Sequence, residues 1–262
     1  MMNLSKMNLN YLFNKAYYEE LPGIKNFFKY NNTLINCRFS TGENSIPFAK
    51  EKNYPYLLKV VYPGLLIGIG NTHDAGSKYE GDGNGEAEIK LGFTLDYVTG
   101  LPVIPGSTVK GILRRAFKYT EYIAEELSID EMLVGDIENL IFEEGTERVV
   151  FFDAIPIEAD KNNHLLGLDN ITPHSDQLKN PKPLSMLKVM PNVVFLFRFG
   201  FENWEDSNSV KREQLQQLFK QIMIVFGVGA KTNVGFGTVI ELEKEEEMRL
   251  LKSLCYLEKS SG

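Results

Sequence analysis

Residues 100–118 read Gly-Leu-Pro-Val-Ile-Pro-Gly-Ser-Thr-Val-Lys-Gly-Ile-Leu-Arg-Arg-Ala-Phe-Lys. Proline and glycine at Pro105-Gly106 favour a sharp turn after an extended segment, and the hydroxyl residues Ser107 and Thr108 are good helix N-caps. Beyond the turn, apolar residues recur at helical spacing. The sequence therefore predicts one amphipathic helix that reaches about Leu127 and buries Val109, Ile112, Leu113, Ala116, Ile123 and Leu127.

The polar side of this helix is basic near its start, where Lys110, Arg114, Arg115 and Lys118 occur without an acidic residue. A helix N-terminus is the positive end of the helix dipole and prefers acidic side chains. Lys110 and Arg114 are also a like-charged pair four residues apart, which mildly destabilises a helix. The pattern fits either a solvated basic face or a bound anion held by backbone N–H groups, Lys110 and an arginine.

A second glycine-rich stretch, residues 227–237, reads Gly-Val-Gly-Ala-Lys-Thr-Asn-Val-Gly-Phe-Gly. It has one lysine and no acid, and its backbone can approach a phosphate closely. A nucleotide-binding P-loop is excluded because Val225 and Ala230 stand where that motif needs glycine, and because the loop follows a helix and precedes a strand. A structural loop, with glycines for a helix cap and a bulge, remains a second interpretation.

Several of these motifs resemble one family. Ile104–Arg114 resembles the I-P-G-S-S-x-K-G-x-x-R signature of the RAMP superfamily, the RNA-binding subunits of CRISPR effector complexes. Gly229–Gly237 is similar to the glycine-rich loop near the C-terminus of these proteins, with Phe236 in place of the usual tyrosine. Val150–Pro156 resembles their central F-x-D-A strand.

One branch of the family is the most similar. Asp169–His174, the proline-rich stretch after it and the strands over Leu184–Phe201 resemble the sixth Cmr subunit of type III-B CRISPR complexes. The resemblance implies a non-catalytic subunit that caps the Cmr backbone filament near the 3′ side of the guide RNA. It also implies contacts with the guide RNA, the paired target RNA and other Cmr RAMP subunits, and neither a cofactor nor a metal.

Cations of the two motifs are expected to neutralise phosphates, and the amides of residues 227–237 are expected to cradle them. Such contacts position RNA without reading its sequence, which suits a subunit that must accept any guide. The predicted RNA-binding residues are Ser107, Lys110, Arg114, Arg115, Gly227, Gly229, Lys231, Thr232, Asn233, Gly235 and Phe236.

The alternative is a RAMP endoribonuclease, metal-dependent or metal-independent, that acts on guide precursor or target RNA. Its candidate catalytic residues are His73, as general acid or base, and Asp74, both at the start of a glycine-rich loop over residues 71–86. The non-catalytic interpretation of this loop is a solvated or protein-contacting segment. No H-E-x-x-H motif, cysteine cluster or paired-carboxylate motif points to a metal hydrolase.

Around these motifs the predicted elements run strand, helix, strand, strand, helix, strand. This order predicts an α+β, ferredoxin-like fold, an antiparallel sheet with both helices on one face. RNA-recognition modules share it and bind single-stranded RNA on their open sheet face. Strands are predicted at 56–70, 89–97, 148–157, 184–190, 193–201 and 238–242, and further helices at 9–20, 210–226 and 244–258.

Three regions are predicted: an N-terminal helical extension over 1–52 packed on the core, a RAMP domain over 53–243, and a C-terminal helix or tail over 244–262. The RAMP domain carries insertions at 71–86 and 158–183. Residues 158–183 are expected to form a loop.

Composition places the chain among globular proteins: 262 residues, 43% hydrophobic, with a net charge of −7. No apolar run is long enough for a membrane span, and Cys37 and Cys255 show no metal spacing, so we expect a cytoplasmic protein with reduced thiols. The net charge argues against a free-standing nucleic-acid binder. However, every charged residue from Tyr119 to Glu147 is acidic, so an acidic back and a basic front fit a subunit between RNA and protein. They also fit an acidic protein with no RNA role.

Overall fold

A computed structural model describes residues 8–19, 25–39, 55–74, 88–143, 145, 148–171, 184–201, 204 and 210–259. The helices are α1 (Leu9–Tyr11), α2 (Tyr17–Glu19), α3 (Lys25–Asn36), α4 (Gly106–Ala116), α5 (Thr120–Leu127), α6 (Val134–Phe142), α7 (Arg212–Phe226) and α8 (Lys244–Lys259). The strands are β1 (Tyr56–Val60), β2 (Val150–Phe151), β3 (Ile155–Glu158), β4 (Leu166–Ile171), β5 (Leu184–Val189), β6 (Val194–Phe197), β7 (Phe199–Gly200) and β8 (Val239–Glu241).

The central sheet has four strands in the order β3-β6-β1-β8, and every neighbouring pair is antiparallel. Leu58 of β1 lies opposite Phe195 on one side and Glu241 on the other. Since successive side chains of a strand point to opposite faces, Leu58 and Leu57 enter different hydrophobic clusters. The sheet is therefore apolar on both faces and must be covered on both.

The larger cluster holds the Leu58 face of the sheet together with α4 and α7. Tyr56 stacks on Phe197 and Phe199, with ring centroids 5.7 and 5.5 Å apart. Phe219 of α7 lies 5.1 Å from Phe199, and Leu113 of α4 is fully buried in the same cluster. Residues of α1 and α3 also belong to this cluster, so the described N-terminal helices share the main core.

The opposite face of the sheet is covered by α8. Leu250 and Leu254 of this helix pack in one cluster with Leu57 and Leu196. Lys59, on the same face, forms an ion pair of 2.6 Å with Glu246 of α8. Among the described helices, none is long and apolar enough to cross a membrane.

The predicted helix over 107–127 is two helices in the structure. No hydroxyl side chain caps α4, whose N-cap is Pro105, so the predicted Ser107 or Thr108 cap is wrong. After α4 the amides of residues 117–119 bond to carbonyls three residues back, and this tight turn sends the Tyr119 ring onto Phe226, 5.3 Å between centroids. Tertiary packing thus ends a helix that the apolar periodicity would continue.

Other predicted boundaries change as well. The loop predicted over 158–183 contains β4, which pairs with β5 over its full length and adds an ion pair of 2.7 Å between Lys188 and Asp169. Residues 172–183 lie outside the described residues. The strand predicted over 56–70 ends at Val60, and the strand predicted over 89–97 makes only isolated bridges. The strand predicted over 148–157 is interrupted between β2 and β3, where Asp153 turns toward α4.

The remaining helix predictions agree with the structure. The predicted helix over 9–20 is a helical run with a π-helical turn at Leu12–Ala16, and those over 210–226 and 244–258 are α7 and α8. Gly227 ends α7 with a φ of 72°, as a glycine C-cap should.

Candidate nucleic-acid interface

The start of α4 already has an anion from the chain itself. The backbone N–H of Gly106 donates to Asp153 Oδ1 at 2.7 Å, and Ile104 and Ala154 exchange two backbone hydrogen bonds beside it. A carboxylate at this position satisfies a free amide and complements the helix dipole. The expectation of an external anion on the first amide of this helix therefore needs correction, and the aspartate of the F-x-D-A strand acquires a structural role.

Glycine is required at the first position of α4. A Cβ on Gly106 would collide with the carbonyl oxygen of Phe151, lying closer to it than side-chain carbons approach backbone. The Arg198 guanidinium is 5.4 Å from the centre of the ring of Phe152, which is next to Asp153 in the sequence. Burial lowers the pKa of Arg198, and the charge of Asp153 acts in the opposite direction. The helix start is thus a packed junction.

The predicted contact residues of α4 lie along its solvent side. Ser107, Arg114 and Arg115 are exposed, and Lys110 is half-buried. Gly111 lies among them, exposed, with no atom within 4 Å of the place a Cβ would occupy. Arg114 is partly engaged, since its Nε lies 3.6 Å from Glu138 Oε1 of α6. The accessible part of this face is therefore a strip of small and basic residues.

The glycine-rich loop 227–237 is held by its own amides. Val228 donates to the Gly237 carbonyl at 2.8 Å, Ala230 donates to the Leu66 carbonyl at 2.9 Å, and Gly237 donates to the Gly64 carbonyl at 2.8 Å. A Cβ on Gly237 would collide with the Val228 carbonyl oxygen. The amides of Gly227, Val234 and Gly235 also donate within the protein, so fewer amides remain for a phosphate than the cradle interpretation assumes.

The outer surface of this loop carries the polar side chains. Lys231 is exposed in the left-handed conformation, with a φ of 58°, and Asn233 is exposed two residues later. Thr232, Gly235 and Phe236 are half-buried, Gly229 is half-buried and Gly227 is buried. The loop therefore offers one lysine, one amide side chain and part of an aromatic ring to a ligand.

Sequence reasoning missed one residue beside this loop, Tyr62. Its side chain is 79% exposed, and the adjacent Pro63 Cδ lies 3.7 Å from the place where a Cβ of Gly235 would sit. Tyr62 falls within the strand predicted over 56–70. The signal was the Pro63-Gly64 break directly after it, which favours a turn, and the Gly64 carbonyl accepts from the Gly237 amide of the glycine-rich loop.

The two predicted motifs do not form a single pocket. The end of α4 meets the end of α7, where the rings of Tyr119 and Phe226 are in contact, and the loop begins directly after Phe226. The start of α4 instead lies against Asp153, before β3. An α-helix of 11 residues is about 16 Å long, so the predicted residues spread along a surface from the α4 start to the loop.

Most basic side chains of α4 and the glycine-rich loop lack the ion-pair partners that several lysines elsewhere have. Lys59, Lys188 and Lys220 each lie within 2.8 Å of a carboxylate oxygen. By contrast, no carboxylate among the described residues lies within salt-bridge distance of a set of basic side chains on α4, directly after it or in the loop: Lys110, Arg115, Lys118 and Lys231.

RNA binding on an open sheet face, as in RNA-recognition modules, does not fit this molecule. The face that lies away from α4 and α7 is packed against Leu250 and Leu254 of α8. The surface of α4 and the glycine-rich loop therefore remains as the RNA-binding surface that the sequence predicts.

The nuclease candidate His73 is buried, with 2% of its surface exposed. Its ring stacks on Phe13 at a centroid distance of 3.8 Å, and its two nitrogens lie 2.7 and 2.8 Å from the carbonyl oxygens of Ile89 and Phe13. Both nitrogens are thus engaged with backbone, and neither can reach an RNA hydroxyl. The side chain joins the N-terminal helices to the 88–90 segment.

Asp74 is more accessible but is paired. Its Oδ1 lies 2.8 Å from Lys90 Nζ, which also contacts the buried Glu88 at 2.6 Å. Burial alone would lower the pKa of Lys90, but the hydrogen bonds that its ammonium donates to both carboxylates, and their negative charges, raise it overall. Within the described part of the chain, no group of three His, Cys, Asp or Glu side chains could hold a metal ion.

Comparison with known proteins agrees with the family resemblance of the sequence motifs. Residues 41–240 match the family model of the RAMP superfamily. The CRISPR system CMR subunit Cmr6 of Saccharolobus solfataricus is 32% identical over 165 residues, which cover 60% of this chain and 51% of that protein. The Cmr6 subunit of Pyrococcus furiosus is 29% identical over 204 residues, covering 54% of this chain and 58% of that protein.

The matched part is therefore little more than half the length of these relatives. Among solved structures, a chain in a cryo-EM structure of type III-B Cmr-beta bound to cognate target RNA is similar, with a TM-score of 0.50 and 25% identity. That match covers 72% of this chain and 58% of the other.

Proposed function

This chain belongs to the RAMP superfamily, and from that premise we propose that it is a non-catalytic, RNA-binding subunit of a type III-B CRISPR (Cmr) complex. The resemblance to the sixth Cmr subunit is confirmed by the two Cmr6 relatives. We place the subunit at the end of the backbone filament, near the 3′ side of the guide RNA. Its partners there are guide RNA, paired target RNA and neighbouring RAMP subunits.

One observation carries the RNA-binding role: four basic side chains on α4, directly after it and in the glycine-rich loop have no carboxylate partner among the described residues, namely Lys110, Arg115, Lys118 and Lys231. Lys59, Lys188 and Lys220, which lie on other surfaces, are neutralised by ion pairs. Unpaired cations on one surface attract a polyanion and release its counterions on binding. Because the net charge of the chain is −7, we expect isolated affinity to be weak and steeply dependent on salt.

We further infer a ferredoxin-like core. Counting only β1, β3, β6 and β8 in chain order, the observed arrangement is second, third, first, fourth, with α4 and α7 in one layer. That order, with antiparallel neighbours throughout, supports the inference. The domain boundaries at 53 and 243 and the cytoplasmic location stay predictions.

The direct test mixes the purified chain with end-labelled guide RNA at low salt, with and without Mg²⁺. A native gel reports binding, and a denaturing gel reports cleavage. We expect intact RNA that shifts with the wild type and shifts less after charge reversal at Lys110, Arg114 or Lys231. An unchanged shift in all three variants would show that the RNA contacts are elsewhere.

The denaturing gel decides the catalytic question. Discrete RNA products that disappear in the Asp74→Asn variant would make the chain a nuclease and overturn the non-catalytic assignment. His73 is unsuited as a probe of chemistry on its own, because its substitution removes a buried packing residue.

A further inference from the structure

A turn over residues 95–102 presents two adjacent large apolar side chains to solvent. Tyr97 is 84% exposed and Val98 is 82% exposed. Single exposed apolar residues are common on protein surfaces, but a neighbouring pair at the tip of a projecting turn is a potential contact point. The value of such a pair to a partner depends on how firmly the turn is held.

The turn is held from inside and outside. Within it, the Asp96 N–H donates to the Leu101 carbonyl at 2.8 Å, and Asp96 Oδ1 accepts from both the N–H and the hydroxyl of Thr99 at 2.6 Å. From outside, Asn8 Nδ2 donates to the carbonyls of Tyr97 and Val98 at 3.2 and 2.9 Å. The backbone under both apolar side chains is thereby fixed by a distant part of the chain.

Turn chemistry does not account for the two apolar residues. Asp96, Thr99 and Gly100, the last with a φ of 71°, supply the side-chain acceptor and the left-handed position that a tight turn uses. The side chains of Tyr97 and Val98 contribute no hydrogen bond to the turn; only their backbone groups do. A rigid, exposed aromatic next to a branched aliphatic residue binds with little loss of conformational entropy, as anchor residues of protein interfaces do.

The charges around the tip identify the kind of partner. The chain has no lysine or arginine from Leu91 to Val109, and none from Asn8 to Asn14, the segment that braces the turn. The carboxylate of Asp96 is used within the turn. An RNA strand would bring phosphates to a segment that supplies no cation of its own, whereas an apolar pocket on a protein needs none.

We propose that Tyr97 and Val98 form a docking tip that inserts into an uncharged, apolar pocket on a neighbouring protein subunit. The inference rests on the proposed function, because it takes that neighbour to be another subunit of the Cmr complex. It assigns subunit contact to the 95–102 turn and RNA contact to a different surface, α4 and the glycine-rich loop.

The test uses the full-length chain and a Cmr assembly reconstituted from its other subunits with guide RNA. Titration of that assembly, immobilised on a biosensor, gives the dissociation constant for the wild type, for the Tyr97→Ser/Val98→Ser double variant, and for Met132→Ser as a control at another exposed apolar residue. We expect the double variant to bind the assembly at least tenfold more weakly, with an unchanged thermal midpoint and unchanged binding to naked guide RNA.

The outcomes separate the two claims. If the wild type does not join the assembly, the proposed function and this inference both fail. If the wild type joins and the double variant joins equally well, the proposed function stands and the docking tip is wrong. If the double variant loses affinity for naked RNA, the tip is an RNA contact and the protein-docking inference is overturned.

Discussion

At the scale of single residues, His73 shows how burial changes the meaning of a candidate catalytic group. Its two ring nitrogens lie within hydrogen-bonding distance of two carbonyl oxygens, and its ring stacks on Phe13. We expect His73→Ala to lower the free energy of unfolding by about 2–4 kcal/mol, because it leaves a cavity and unpaired carbonyls. Urea titration measures this.

His164 provides the matched control for that experiment. It is only half-buried, and its recorded hydrogen bonds involve its backbone, so His164→Ala should change the free energy of unfolding by less than about 0.5 kcal/mol. Equal effects of the two substitutions would contradict the buried, structural role of His73.

Tyr62 is the residue for which the structure adds most to the RNA surface. Its side chain is exposed, and the next residue, Pro63, lies beside Gly235 of the glycine-rich loop, so we expect a nucleobase bound at the loop to reach the Tyr62 ring. Since stacking of a base on an aromatic side chain is worth about 1–3 kcal/mol, we expect Tyr62→Ala to weaken guide RNA binding about tenfold and Tyr62→Phe to restore it. Filter binding measures both, and a defect that phenylalanine does not repair would argue against stacking.

At the scale of elements, α4 contains an exposed glycine whose presence costs helix stability. No atom lies near the position of a Gly111 Cβ, so Gly111→Ala should raise the free energy of unfolding by about 0.5–1 kcal/mol. If RNA approaches this face of α4, the added methyl should also reduce RNA affinity. Calorimetry and filter binding on one preparation give both values; a stabilised variant with unchanged affinity would place the RNA away from Gly111.

The 95–102 turn has a pH dependence of its own. Partial burial alone would raise the pKa of Asp96, but hydrogen bonds from Thr99 and from the Val98 and Tyr97 amides lower it overall. The folded-state pKa is therefore below the unfolded one, so the ionised side chain stabilises the fold above the ordinary carboxyl range, and this stabilisation disappears as pH falls through the lower value. The stability difference between wild type and Asp96→Asn should be constant from about pH 7 to 5 and shrink below about pH 4.

Urea midpoints for both proteins across this pH range test the expectation, with Asp160→Asn as a comparison at another turn aspartate. Asp160 also accepts backbone N–H groups, from Asn162 and His164. A stability difference for Asp96→Asn that grows toward low pH would contradict the assigned sign.

The sequence predicted α7, α8 and the order of the core elements because their apolar spacing and terminal signals agree, as at Gly227. It could not predict the break after Ala116, which depends on the Tyr119 contact with Phe226, a residue more than a hundred positions later. For the same reason it could not assign Asp153 to the start of α4 or place Pro63, the residue after Tyr62, beside Gly235. Periodicity and turn residues are local signals, whereas these features are set by distant contacts.

At the scale of the whole molecule, the sheet separates two kinds of surface. One face carries α4 and α7, and the opposite face is closed by α8, whose first turn is acidic. Together with the acidic stretch from Tyr119 to Glu147, this arrangement leaves the α4 and loop surface as the candidate for RNA in a chain of net charge −7. Contact with RNA through this surface is the central claim.

The most direct test of that claim measures guide RNA affinity at several salt concentrations for wild type, Lys231→Glu and Lys161→Glu. Lys161 is an exposed lysine in the turn between β3 and β4, so its reversal changes net charge by the same amount. We predict that Lys231→Glu weakens binding more than tenfold and lowers the salt-dependence slope by about one, while Lys161→Glu changes affinity less than twofold. Equal losses in both variants would show that only net charge matters and would contradict a defined RNA surface at the glycine-rich loop.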